Sequence, residues 1–167
     1  MGWIMNNTTA KEKIDQCLEE LEKIEHIIIG IGKTSHPVPF LTKYAIVKSC
    51  GTIEICFKSI LSDYKIDEQN DKVKNFINAN FRNSSINPSK DNIHRSLKLF
   101  DEEWNIKFKE EIEKLVNKDK ILDSLKSLNE ARNTFAHGGN PSSSFDNVVE
   151  YFKDSIKIID IIDSIAS

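Results

Sequence analysis

The stretch Asp119–Pro141, DKILDSLKSLNEARNTFAHGGNP, organises the reading of the whole chain. Leu122, Leu125, Leu128 and Phe135 recur at spacings of three and four, the signature of one apolar helical stripe over about 120–137. Asp119 can cap its start. Gly138-Gly139, followed by Pro141, supplies a C-terminal glycine and then a stop. Arg132 falls on the same stripe as Leu125, Leu128 and Phe135, at a position its neighbours use for core packing. A guanidinium there needs a partner, either a buried carboxylate such as Glu54 or a group at a subunit interface. Asn133 and His137 lie four apart on a different face, shared with Lys126 and Glu130. His137 occupies the last turn, where the negative helix end favours imidazolium.

Outward from this stretch, every neighbouring segment also reads as helix. The serines at 142–144 offer an N-cap for a last helix, 143–165, through Val148, Phe152, Ile156, Ile159 and Ile162. At the other end, Ile14, Cys17, Leu21, Ile24 and Ile28 mark a long amphipathic helix, ended by Gly30, Gly32 and the prolines at 37 and 39. A second helix starts near Phe40 and is apolar on nearly all sides, which predicts a central element. Gly51 inside it costs about 1 kcal/mol relative to Ala, so a close helix–helix approach is expected there. Residues 67–100 read as a helical insertion, and Trp104, Phe108 and Ile112 mark a further helix that breaks around Asn117. No segment shows strand alternation and no repeat appears. The expectation is an all-α chain, an antiparallel bundle of four to five helices forming a single domain over 1–167. Its core should draw on Leu21, Ile24, Val47, Ile53, Phe57, Leu125, Leu128, Phe135, Phe152, Ile156 and Ile159.

Composition narrows the functional classes. The 167 residues carry 23 Lys+Arg against 26 Asp+Glu, a net charge of −3. No global positive field exists to hold duplex nucleic acid, so any nucleic-acid site must be local. Cys17, Cys50 and Cys56 form no CxxC pair and fit a reducing cytoplasm. The longest apolar run, Ile27–Ile31, falls far short of the ~20 residues that span a bilayer, and the start at Met1-Gly2-Trp3-Ile4 lacks a leader pattern; neither predicts a membrane association. There is no phosphate loop, dinucleotide fingerprint, HExxH or zinc-spaced Cys/His set, so neither a cofactor nor a metal is expected. Asp160 and Asp163 read as a solvated helix face. His26, His36 and His94 read as surface residues.

The remaining candidate chemistry lies in Arg132-Asn133-Thr134-Phe135-Ala136-His137. An imidazole, a fixed guanidinium and an amide suffice for RNA transesterification. His137 exchanges protons, Arg132 stabilises charge on the pentavalent phosphate, and Asn133 orients the nucleophile or the imidazole. This segment, with Gly138 behind it, resembles the Arg-x(4–6)-His motif of the HEPN superfamily (higher eukaryotes and prokaryotes nucleotide-binding), including the polar residue after the arginine. The motif's place at the end of the penultimate core helix also matches. The apolar second helix with an internal acid, Tyr44 through Ile53-Glu54-Ile55, is similar to that of stand-alone bacterial HEPN proteins of the RiboL-PSP type.

The resemblance implies an RNA-specific, metal-independent endoribonuclease, often a toxin or a phage-defence effector, sometimes with an antitoxin or defence partner. It implies a homodimer whose two motifs form one composite site, with Arg132 and His137 catalytic and Asn133, Glu54 and Glu130 supporting. Lys126, on the face of Asn133, is a candidate substrate contact. Basic residues of the insertion, Lys72, Lys74, Arg82, Lys90 and Arg95, are candidates to guide RNA. The competing readings are a non-catalytic HEPN adaptor that binds nucleotide, RNA or a partner protein, and a purely structural bundle in which Arg132 closes a salt bridge.

Overall fold

A computed structural model describes residues 3–166; Met1, Gly2 and Ser167 lie outside the described residues, including the first two positions of the start examined for a leader. Among the described residues there are seven α-helices and no strand. They are α1 (Thr8–Ile31), α2 (Val38–Asp63), α3 (Asp71–Ile77), α4 (Lys90–Phe100), α5 (Glu102–Lys114), α6 (Lys118–Ala136) and α7 (Phe145–Ile165). A single 3₁₀ turn precedes α3, and α3 runs directly into a π-helical turn, Asn78–Arg82.

Local chemistry sets most of the helix ends. Asn7 caps α1 through a 2.8 Å bond from the Ala10 amide, and Gly32 ends it with a positive φ of 89°. Ser144 caps α7 by accepting from the Asn147 amide, as the serine run predicted. The start of α6 departs from expectation: Asn117, in the left-handed region at φ 62°, turns the chain, and Asp119 lies within the first turn instead of capping it.

Helix α2 is the central element. It packs against α1, α6 and α7, and also touches α4 and the π turn. Phe57, Leu61, Ile46 and Ile53 are fully buried or nearly so, as are Phe152, Ile156 and Ile159 of α7 and Leu125 and Leu128 of α6. Each such side chain contributes about 1.5–3 kcal/mol of burial, which holds α1, α2, α6 and α7 together as the bundle. Ile93 and Leu97 bring α4 into the same core, whereas α3 buries nothing of its own. The π turn adds Phe81, edge-on to Phe57 at 5.7 Å between ring centroids.

Two expected core residues lie outside it: Val47 is 46% exposed and Phe135 37%. Helical phase places Val47 on the outer side of α2, in a shallow groove bordered by Lys13 and Gln16 of α1. Phe135 lies beyond the point where the α6 stripe leaves the bundle. Gly51 also departs from expectation, since a Cβ built there meets nothing within 4 Å. Asp163 is buried, not solvated, and accepts the backbone N–H groups of Asn6 and Asn7, tying the N-terminal segment to α7. Burial raises the pKa of its neighbour Asp160, and the Asp163 charge adds to the effect.

All three cysteines are buried and unpaired. Burial pushes the Cys50 thiol up to about 11 and the Cys56 thiol up to about 12, and raises that of Cys17. None is a thiolate at neutral pH. Thiol-reactive dye at pH 8 should therefore label the native protein slowly and label it fully once it is unfolded; rapid labelling of native Cys50 would contradict this packing.

Candidate functional site

The C-terminal end of α6 is built around a glycine pair. The Gly139 N–H bonds to the Thr134 carbonyl at 2.8 Å and the Gly138 N–H to the Phe135 carbonyl at 3.0 Å, the two bonds of a Schellman cap. Gly138 takes φ 81°, and a Cβ on Gly139 would lie 2.8 Å from Thr134 Cγ2 and 2.9 Å from the Thr134 carbonyl oxygen. One glycine supplies the left-handed conformation and the other the close approach. Together they hold His137 at the C-cap, its amide bonded to the Asn133 carbonyl at 3.1 Å. Gly138→Ala should cost about 1–2 kcal/mol for the positive φ. Gly139→Ala should cost more, because backbone must shift. Urea unfolding measures both, and wild-type stability in Gly139→Ala would refute this account of the cap.

Along α6 the stripe emerges from the core residue by residue. Leu125 and Leu128 are buried, Arg132 is half-buried, and Phe135 and His137 are exposed. Arg132 donates from Nη1 to Asn133 Oδ1 at 3.2 Å. It makes no ion pair among the described residues. The expected pairing with Glu54 is not formed. Glu54 turns instead to Lys58, 2.5 Å away and one helical turn on, and the buried Lys58 ammonium also donates to the Ser84 carbonyl. Both charges still reach Cys50, where Arg132 works against the upward shift caused by burial and Glu54 adds to it. Glu54 is thus a structural neighbour already neutralised, and Arg132 keeps its charge uncommitted.

Asn133, Glu130 and Lys126 share the predicted face. They line one groove of about 640 Å³ between α6 and the start of α4, together with Ser89, Lys90 and Asp91. Lys126 stands 3.9 Å from Glu130 in an exposed pair. Of Lys72, Lys74, Arg82, Lys90 and Arg95, only Arg82 pairs with an acid among the described residues. Arg82 is held by Asp63 and Asn78, and Arg95 bonds to Asn92; Lys90 alone faces this groove. His94 is not simply a surface residue, because its Nδ1 lies 2.8 Å from Asn105 Oδ1 and its ring packs edge-on to Phe108. Sequence reasoning missed Asn129, which is buried, bonds to the Leu125 carbonyl and accepts from the Cys50 thiol at 3.3 Å, locking α6 to α2 beside Arg132. A polar residue one turn before Arg132 on the inward face was the available signal.

Arg132 and His137 are five residues apart on a helix that stays regular to Ala136, so they point roughly 140° apart. No hydrogen bond joins them within the chain. Among the described residues no group of three or more His, Cys, Asp or Glu side chains is arranged to hold a metal ion. Among the described residues no helix is long and apolar enough to cross a membrane.

An all-helical bundle with Arg-x4-His closing its penultimate core helix is the architecture of a HEPN domain. The model of the RiboL-PSP-HEPN family matches residues 12–167, and the chain belongs to that family. No curated protein and no solved structure matches it.

Proposed function

We propose that the protein is an endoribonuclease that cleaves RNA by attack of the 2′-hydroxyl on the adjacent phosphate. One observation carries this reading: a half-buried guanidinium, oriented by Asn133 and free of any carboxylate among the described residues, stands on the same helix end as a histidine held at its cap. A guanidinium left without an acid is available to a phosphate. In the reaction the 2′-oxygen forms a bond to phosphorus and the 5′-oxygen leaves. His137 takes or returns the proton, Arg132 stabilises the added charge on the non-bridging oxygens, and Asn133 holds the guanidinium in place. Glu54, neutralised by Lys58, supports the packing behind Arg132.

The divergence of Arg132 and His137 calls for a second copy to complete the site. On α2, Tyr44, Val47 and Ile55 are 52%, 46% and 45% exposed and form one stripe with the open Gly51. The stripe runs between the α1 side, where Tyr44 bonds to Glu20, and the α6 side, where Cys50 meets Asn129. A homodimer built on this face sets the two motifs beside each other, with Gly51 allowing the close helix approach that the single chain does not use. A role as a toxin or phage-defence effector, with an antitoxin or other partner restraining it, follows from the family's habits and suits an activity directed at RNA. Incubating the purified protein with RNA in EDTA, beside Arg132→Ala, tests the reading. Fragmentation by the wild type alone is expected, and intact RNA in both lanes favours the non-catalytic adaptor.

A further inference from the structure

A cavity of about 780 Å³ lies not on the Asn133 face but beyond the end of α6, where the α1–α2 and α6–α7 connections meet. That volume falls within the range of small-molecule and cofactor sites. Its wall is apolar and flat-sided: Phe40, 61% exposed, stands in it with the His36 ring 5.7 Å away between centroids. Its rim is polar, with the Asn140 amide and the Ser143 hydroxyl; Ser144, also on the rim, is engaged as the α7 cap. Lys33 on the rim is neutralised by Asp146. Lys43 is not: its ammonium donates to Asn140 Oδ1 at 2.7 Å and meets no carboxylate among the described residues. The same ammonium lies 5.8 Å from the Phe40 ring centroid and 5.7 Å from that of Phe135. Phe135 sits inside the motif, between Arg132 and His137, so Lys43 connects the cavity directly to the motif's own turn.

We propose that this cavity is a subsite for an unpaired nucleobase of the RNA, next to the phosphate held by Arg132; the proposal rests on the ribonuclease reading. The chemistry of the lining matches the parts of a nucleotide. An exposed phenyl face stacks a base, the Asn140 amide and the Ser143 hydroxyl address the base edge, and Lys43 meets the backbone phosphate. A base paired in a duplex cannot turn into such a cavity, so the substrate is single-stranded or looped RNA. A large exposed phenylalanine on a bundle helix, beside a cation that lacks an acid, gains a use that core packing does not provide.

The test uses the full chain carrying His137→Ala, so that RNA stays intact, and measures anisotropy with a labelled single-stranded RNA decamer and with a blunt RNA duplex. Phe40→Ala should weaken single-strand binding by between about 5- and 150-fold, the loss typical of one base–aromatic stack, and leave duplex binding unchanged. Phe40→Trp should restore binding, and single-stranded RNA should quench the fluorescence of the new indole. Lys43→Ala should weaken binding and flatten its salt dependence. Phe40 is exposed, so its variants leave the core intact. Unchanged single-strand affinity in Phe40→Ala overturns the subsite, including the case where that variant becomes monomeric with RNA affinity intact, which would make this face a subunit contact. Should the wild type fail to cleave RNA while single-strand binding depends on Phe40, the subsite stands and the nuclease reading falls.

Discussion

Arg132→Ala and His137→Ala should each lower RNA cleavage by at least ~100-fold, because charge stabilisation and proton transfer each typically contribute that much or more. Both variants should keep the fold. His137 is exposed, and Arg132 closes no ion pair among the described residues whose loss would strand a buried acid. This differs from the expectation raised by its stripe position, where removal of the guanidinium would have left Glu54 uncompensated; Lys58 already performs that service. Circular dichroism should therefore match the wild type while activity disappears. Products should carry a 2′,3′-cyclic phosphate, since the nucleophile is the neighbouring hydroxyl, and DNA, which lacks it, should remain intact. Cleavage should persist in EDTA. Equal cleavage of DNA, or an active His137→Ala, would remove the proposed roles.

The second large effect concerns assembly. Light scattering should give about twice the 19.1 kDa chain mass. Val47→Glu should convert the protein to a monomer and abolish cleavage together, because a charge in the middle of the α2 stripe cannot be desolvated against a second copy. Val47 is 46% exposed, so the substitution does not disturb the core. Mixing Arg132→Ala with His137→Ala should then regain activity well above that of either alone, since one pairing across the two-fold axis keeps an intact arginine and an intact histidine. A monomeric Val47→Glu that still cleaves RNA would confine the site to one chain and refute the shared arrangement.

The helices and their caps were legible along the chain because they depend on local chemistry. The 3-4 spacing of Ile14, Cys17, Leu21 and Ile24 is enough to define the buried face of α1, and Gly138-Gly139 is enough to end α6. Arg132, His137 and Asn133 were equally legible, since their spacing and their position before a glycine pair are properties of sequence. Which charge compensates which was not. Glu54 could face either Lys58 or Arg132, and the choice turns on the segment around Ser84, whose carbonyl takes the Lys58 ammonium. Burial was misread at Val47, Phe135 and Asp163 for one reason. Periodicity reports that a face is apolar or polar, but not whether another element arrives to cover it.

Residue order alone thus determines an all-helical chain, most of its helix ends and the motif that places it among HEPN proteins, because hydrogen bonding, capping and backbone preference act over a few residues. Tertiary structure decides what surrounds the motif. Only the packing of α6 on α2 leaves Arg132 without an acid among the described residues, turns the α2 stripe outward, and brings the α1–α2 and α6–α7 connections together as a cavity beside Lys43. Those outcomes depend on contacts between residues as far apart as Lys43 and Asn140, whose meeting is fixed by the relative placement of whole helices and leaves no trace in any local pattern.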